Sequence, residues 1–237
     1  MKPAPPVTRV RMGAAWYPSP DRHLSRRWYG RGTVAGIFVS FEGIDRAGKT
    51  TQAELLCRAL GPEAVAVREP GGTPAGERVR ELLKDPATEL SPQAEALLFA
   101  AARAELVERV IRPALAQGRT VVCDRFLDSS LAYQGVARGL GVEAVRNANH
   151  LATGGLVPDL TILLSIDPRP AAARAGESDR FEDEGESLQR SVLEAYERLA
   201  AEDPARWRRI RADRPADEVH EEVLSTVRAV EATGAPT

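Results

Sequence analysis

The run FEGIDRAGKT, residues 41–50, constrains this chain more than any other stretch. Gly43, Gly48, Lys49 and Thr50 hold the fixed places of the pattern G-x-x-x-x-G-K-[ST], a phosphate-binding P-loop. Glycines let the backbone turn tightly and bring its N–H groups against phosphate oxygens. A lysine reaches the terminal phosphates, and a threonine hydroxyl can ligate Mg²⁺. So short a pattern recurs by chance, and its flanks decide what it means. GIFVSFEG (36–43) is an apolar run of strand length, and TTQAELLCRAL (50–60) sets Ala53, Leu55, Leu56, Ala59 and Leu60 at helical spacing. Strand, loop and helix in that order is the context the pattern requires.

A chain of 237 residues with 43% hydrophobic content can bury one sizeable core, so one domain is expected rather than two. Its net charge of -2, from 32 basic and 34 acidic side chains, supplies no global field for gripping nucleic acid and points to a small-molecule partner. The cysteines, Cys57 in the helix after the loop and Cys123 in the apolar run TVVCD, read as buried reduced thiols of a cytoplasmic chain. No apolar stretch approaches the ~20 residues of a membrane span. Residues 1–33 differ from the rest: Lys2 and six arginines face the single acid Asp21, a net +6, with no periodic pattern. The segment 1–35 is therefore read as an extension outside the fold, leaving a domain at 36–237. A targeting leader, a nucleic-acid or membrane contact, a disordered tail and an early start codon all suit such a composition, and no function is assigned to it.

From Gly36 onward strand-like and helix-like runs alternate. Strands are predicted at 36–42, EAVAVREP from Glu63, TVVCDRF from Thr120, DLTILLSID from Asp159 and WRRIRAD from Trp207. The longest helix is predicted to be capped by Ser91, to start at Pro92 and to end near Arg112-Pro113. Charged residues from Ser178 lead into another amphipathic helix, and PADEVHEEVLSTVRAVEA forms the last. The expected class is α/β, a three-layer arrangement with a five-stranded parallel sheet wrapped by helices. Such sheets bind ligands beyond the carboxyl ends of their strands.

Those ends carry REPGGT (68–73) and DRF (124–126). Asp124 closes an apolar strand where a carboxylate can orient Mg²⁺ or its water shell, and the planar fork of Arg125 suits phosphoryl oxygens. Phe99 and Arg103, spaced i and i+4, share one helical face; taken alone they read as a core ring and a surface charge. Arg169, Arg174 and Arg180 read either as solvated loop charge or as cations delivered to a transferring phosphate.

FEGIDRAGKTTQ, REPGGT, LLFAAAR, DRFLDSSLAYQG and DRFE, in this order, closely resemble thymidylate kinase, of the nucleoside monophosphate kinase group. The likeness spans roughly residues 36–230. It implies transfer of the γ-phosphate of ATP to dTMP, with Mg²⁺ as cofactor and a homodimer as the usual assembly. By position, Gly43, Ile44, Asp45, Arg46, Ala47, Gly48, Lys49, Thr50 and Thr51 would hold ATP, with Thr50 and Asp124 at the metal. Asp45, Arg68, Glu69, Phe99, Arg103, Arg125, Ser130, Tyr133 and Gln134 would form the dTMP site: Phe99 stacking on thymine, Arg103 at the base edge, Arg125 on the acceptor phosphate, Tyr133 where a 2′-hydroxyl would crowd it. Residues 169–184 would be a LID closing over ATP, and ADRP (212–215) would lie beside adenine. Members of the eukaryotic type carry an arginine in the loop, and many bacterial members place it in the LID. This chain has Arg46 in the former place and Arg174 and Arg180 in the latter, so the catalytic candidates are Lys49, Arg125 and all three of these.

The alternative within the fold is a kinase of another nucleoside monophosphate or of a deoxynucleoside. A GTP-binding switch should carry Asn-Lys-x-Asp, which the chain lacks. A nucleic-acid-dependent ATPase is disfavoured by the near-neutral charge.

Overall fold

The structure, a computed structural model, describes residues 36–174 and 185–233. Its five strands form one parallel sheet in the order β2-β3-β1-β4-β5, with β1 Phe38–Glu42, β2 Ala64–Arg68, β3 Thr120–Asp124, β4 Leu160–Ser165 and β5 Trp207–Arg211. Each predicted strand is present. β1 and β4, in the middle of the sheet, are buried along their whole length, as strands covered on both faces must be. The edge strands β2 and β5 bury only part of theirs.

The helices are α1 Lys49–Leu60, α2 Pro74–Lys84, α3 Pro92–Leu106, α4 Arg112–Ala116, α5 Leu127–Ser130, α6 Val142–Thr153, α7 Pro168–Ala172, α8 Gly185–Glu202 and α9 Ala216–Thr233. α1 and α9 pack on one another, while α8 packs against residues Leu131–Ala137, a wide helical turn that continues α5. Side chains alternate along β1, so Phe38, Ser40 and Glu42 share one face. Phe38 there meets Phe126 edge-on at 4.9 Å, Ser40 Oγ lies 3.1 Å from Thr161 Oγ1, and Glu42 reaches Tyr196 of α8.

One boundary differs from expectation. Helical structure does not stop at Arg112-Pro113. A wide turn at Val107–Ile111 precedes the proline, and α4 runs on to Ala116. Proline fits without breaking the run because it stands in the first turn of α4, where its missing N–H is tolerated. Ser91 does cap α3, its side chain accepting from the Ala94 N–H at 3.2 Å.

Leu163 lies in the middle of β4 and is fully buried. Leu163→Ala should lower stability by about 2 to 5 kcal/mol. Urea unfolding should show this as a lower midpoint with an unchanged m-value.

Candidate active site

The loop after β1 turns back under the start of α1, at the centre of the sheet. Gly43 holds φ 143° there, and a Cβ on it would come within 2.7 Å of the Leu164 carbonyl of the neighbouring strand. Only glycine fits that approach. Lys49 is buried, its Nζ donating to the Ile44 carbonyl at 2.7 Å across the loop. Burial, followed by the nearby Arg125 cation, lowers its pKa to about 8. Thr50 Oγ1 donates to Asp124 Oδ2 at 2.5 Å, so the hydroxyl after the lysine and the carboxylate ending β3 stand together at the loop mouth.

Arg46 and Arg174 lock into each other. Arg46 Nη1 donates to the Ala172 and Arg174 carbonyls at 3.0 and 3.3 Å, and Arg174 Nη1 returns a bond to the Arg46 carbonyl at 3.2 Å. Arg174 Nη2 also holds the Ala212 carbonyl at 2.5 Å. Both arginines line a cleft of about 490 Å³ together with Lys49, Thr50, Gln52 and Arg214. Arg180 and the rest of 175–184 lie outside the described residues, as does the extension 1–35. Arg169, largely exposed and paired with Glu186 at 3.2 Å, takes the solvated-charge reading.

The second cluster begins at Arg125, a non-glycine residue at φ 69°. Such a backbone is strained and persists only where surroundings hold it. Here its guanidinium is fixed from several sides. Nη2 meets Asp45 Oδ1 at 2.5 Å and Tyr133 Oη at 3.4 Å, while Nη1 reaches the Gly43 carbonyl, Ser129 Oγ and Tyr196 Oη at 3.0, 3.2 and 3.3 Å. Tyr133 also donates to Asp45 Oδ2 at 3.1 Å and lies under the Arg125 cation, 5.2 Å from its ring centre. Burial pushes the Asp45 carboxyl upward, but Arg125 and then Lys49 outweigh it and hold the group below its ordinary range.

The third cluster is deeper. Arg103, far from being a surface charge, is 1% exposed. Its Nε donates to both Glu69 oxygens at 3.1 and 2.8 Å, and its Nη1 to Ser130 Oγ at 3.1 Å and to Asn149 Oδ1. Nη2 takes Glu69 Oε2 at 2.5 Å and the Phe126 carbonyl at 3.2 Å. Burial raises the Glu69 carboxyl, with Arg103 opposing. Phe99, one turn earlier on α3, is half-buried. Gln134 reaches the same helix, α3, donating to the buried Glu95 at 2.9 Å. Arg68 is not brought to Glu69's side. It is largely exposed and pairs with Glu77 at 3.1 Å. Neighbouring residues at the end of a strand face opposite ways, which separates the two.

The family model described as thymidylate kinase matches residues 41–223. The chain belongs to the thymidylate kinase family. The thymidylate kinase of Deinococcus radiodurans is 47% identical over 198 residues, covering 81% of this chain and 96% of that protein. That of Symbiobacterium thermophilum is 48% identical over 200 residues, 82% of this chain and 94% of the other. The crystal structure of thymidylate kinase from Ehrlichia chaffeensis superposes with a TM-score of 0.69 at 33% identity, over 82% of this chain and 99% of that one.

Within this thymidylate kinase fold, several site-bordering residues receive no role from the motifs, although Glu42 and Gln52 stand inside one of them. Glu42 is fully buried, accepting from the Phe126 N–H at 2.8 Å, Ser129 Oγ at 2.6 Å and Tyr196 Oη at 2.9 Å. A carboxylate ending a wholly buried strand is the signal that could have found it, since such a group must be satisfied from elsewhere in the fold. Gln52 Nε2 ties α1 to the Ala216 carbonyl at 2.8 Å. Gln189 and Asn149 carry no local signal.

Burial, then the charge of Asp128, lifts the Glu42 carboxyl from 4.5 to about 7. The folded state therefore holds this proton more tightly than the unfolded chain does. That contribution is complete below the unfolded value and is lost as pH rises through the folded one. Glu42→Gln has no charge to bury. Its stability relative to wild type should rise by about 1 to 3 kcal/mol between about pH 5 and pH 8. Urea midpoints across that range measure the slope, from which any pH-independent change in hydrogen bonding drops out.

Proposed function

We infer that the chain transfers the γ-phosphate of ATP to dTMP, giving dTDP. The observation that carries this reading is the double membership of Asp45. It is a residue of the phosphate-binding loop, yet its carboxylate is held by Arg125 and Tyr133 on the far side. Donor and acceptor groups would thus meet across one residue, which is the juxtaposition in-line phosphoryl transfer needs.

On the donor side, residues 43–51 cradle the ATP phosphates and Lys49 bridges them. Mg²⁺ fits the pair Thr50 Oγ1 and Asp124 Oδ2, because this ion keeps several waters and asks for only one or two protein oxygens besides the phosphates. When bound it neutralises charge building on the phosphates. Arg46 and a LID arginine, Arg174 or Arg180, share the developing negative charge, and the interlock of Arg46 with Arg174 at the cleft supports that division.

On the acceptor side, Arg125 takes the dTMP phosphate and Asp45 faces the sugar. Tyr133 stands where a 2′-hydroxyl would crowd it. Phe99 stacks on thymine, and Arg103, Ser130 and Gln134 border its edge, with Glu69 holding Arg103 in place. The resemblance would put Arg68 near the acceptor phosphate, while its side chain here turns out to Glu77 at 3.1 Å. The kinase unit is 36–237 with its LID at about 169–184, working as a cytoplasmic homodimer. No helix among the described residues is long and apolar enough to cross a membrane.

Purified protein with ATP and Mg²⁺ should convert dTMP to its diphosphate faster than it converts dUMP, UMP, CMP, AMP or GMP, with product followed directly. Turnover led by UMP or CMP would overturn the base-site assignments. Arg46→Ala should reduce kcat by a factor on the order of 10² or more with dTMP affinity little changed. An unaltered kcat would remove Arg46 from the chemistry.

A further inference from the structure

Asp45 is gripped by one more residue, from the far end of the chain. Gln189 lies 144 positions away on the first turns of α8, and its amide closes a two-point ring with Asp45. The Asp45 N–H donates to Gln189 Oε1 at 3.0 Å, and Gln189 Nε2 donates to Asp45 Oδ2 at 2.7 Å. The two ends of the amide cannot be exchanged. A backbone N–H only donates and an ionised carboxylate only accepts, so the site demands an acceptor and a donor side by side. A primary amide of this length meets that demand; an aliphatic, an acidic or a basic side chain does not.

The same helix holds the other half of the ion pair. Tyr196 follows Gln189 by seven residues, two turns along the same face of α8. Its hydroxyl lies 3.3 Å from Arg125 Nη1 and donates to Glu42 at 2.9 Å. One rigid face therefore touches both members of the Asp45–Arg125 pair, Gln189 on the anion and Tyr196 on the cation. Side chains locked by such outer partners keep a binding constellation within the narrow tolerance that recognition needs.

We propose that Gln189 is a positioning residue for the acceptor side of the reaction, orienting the Asp45 carboxylate so that Oδ1 meets Arg125 and Oδ2 meets Tyr133. It acts through Asp45 and touches no reacting atom. Its loss should thus fall on dTMP and spare ATP, whose phosphates would take other N–H groups of the loop. The inference rests on dTMP being the acceptor.

Two variants test it, each measured beside wild type with dTMP and ATP varied separately. Gln189→Leu, one atom shorter, removes both bonds. It should raise the KM for dTMP about tenfold, with the KM for ATP within about twofold and kcat within about threefold. Gln189→Glu keeps the acceptor for the Asp45 N–H but sets a second carboxylate against Oδ2. The groups facing that pair are Arg125, Lys49 and Tyr133. Two adjacent carboxylates resist joint ionisation, so in this variant the KM for dTMP should fall as pH drops from 8 to 6 relative to wild type.

A merely structural role would raise both KM values together, or neither, and would give Gln189→Glu the wild-type pH profile. Either result overturns the proposal, as does a KM for dTMP in Gln189→Leu within twofold of wild type. If Gln189→Leu does not fold, the pH profile of Gln189→Glu decides alone. Wild type that turns over no dTMP at all retires the acceptor assignment and this inference with it. Wild-type turnover with unaffected variants retires Gln189 only.

Discussion

The contact between Asp45 and Arg125 joins two loops that leave adjacent parallel strands, the one after β1 and the one after β3. At 2.5 Å and largely withdrawn from solvent, the pair fixes the backbone on both sides: a phosphate-binding loop that turns over glycine, and an arginine held at a positive φ that its side chain does not favour. Removing either partner would leave a charge in a poorly hydrated place, which costs far more than the pair itself contributes. The interaction is worth more as geometry than as stability. It fixes the loop after β3 relative to the loop after β1.

Around that pair the protein spends its buried polar groups in linked sets. Glu42 on β1 receives Ser129 and Tyr196, which also touch Arg125, so the central strand and α8 both bear on one guanidinium. A separate set joins Arg103 of α3 to Glu69 beyond β2 and to Ser130 and Asn149. A third joins Asp128 to Arg206 at 2.5 Å and, through Thr161, to the sheet. Low local dielectric makes each satisfied set stiff and each broken one expensive. Stiffness in this layer holds side chains from several elements in fixed mutual positions.

Local signals made the framework legible. The central strands were legible because a strand buried on both faces tends to a continuous apolar run, while the edge strands β2 and β5, only partly buried, carry a weaker signal. The P-loop was legible because its residue types recur at fixed spacing between a strand and a helix, although the close approach that demands Gly43 comes from Leu164 on the neighbouring strand. The end of the long α3–α4 run was misplaced, since a proline in a helical pattern reads as a stop when its neighbours' backbone is unknown. Arg103 was misread in isolation because nothing near it in sequence announces Glu69, 34 positions away.

What the sequence determined by itself was the class of fold, the phosphate loop and, through ordered motifs, the family. These follow from periodicity and from residue types with local conformational duties. Only the tertiary structure decided which charges are buried and who partners them: that Arg68 turns out to Glu77 while Glu69 turns in to Arg103, that Arg46 meets Arg174, and that Gln189 closes on Asp45. Those pairings cross from 9 to 144 residues of chain. A hydrogen bond depends on separation in space, and that is set by the packing of α8 and the order of the strands rather than by any local pattern.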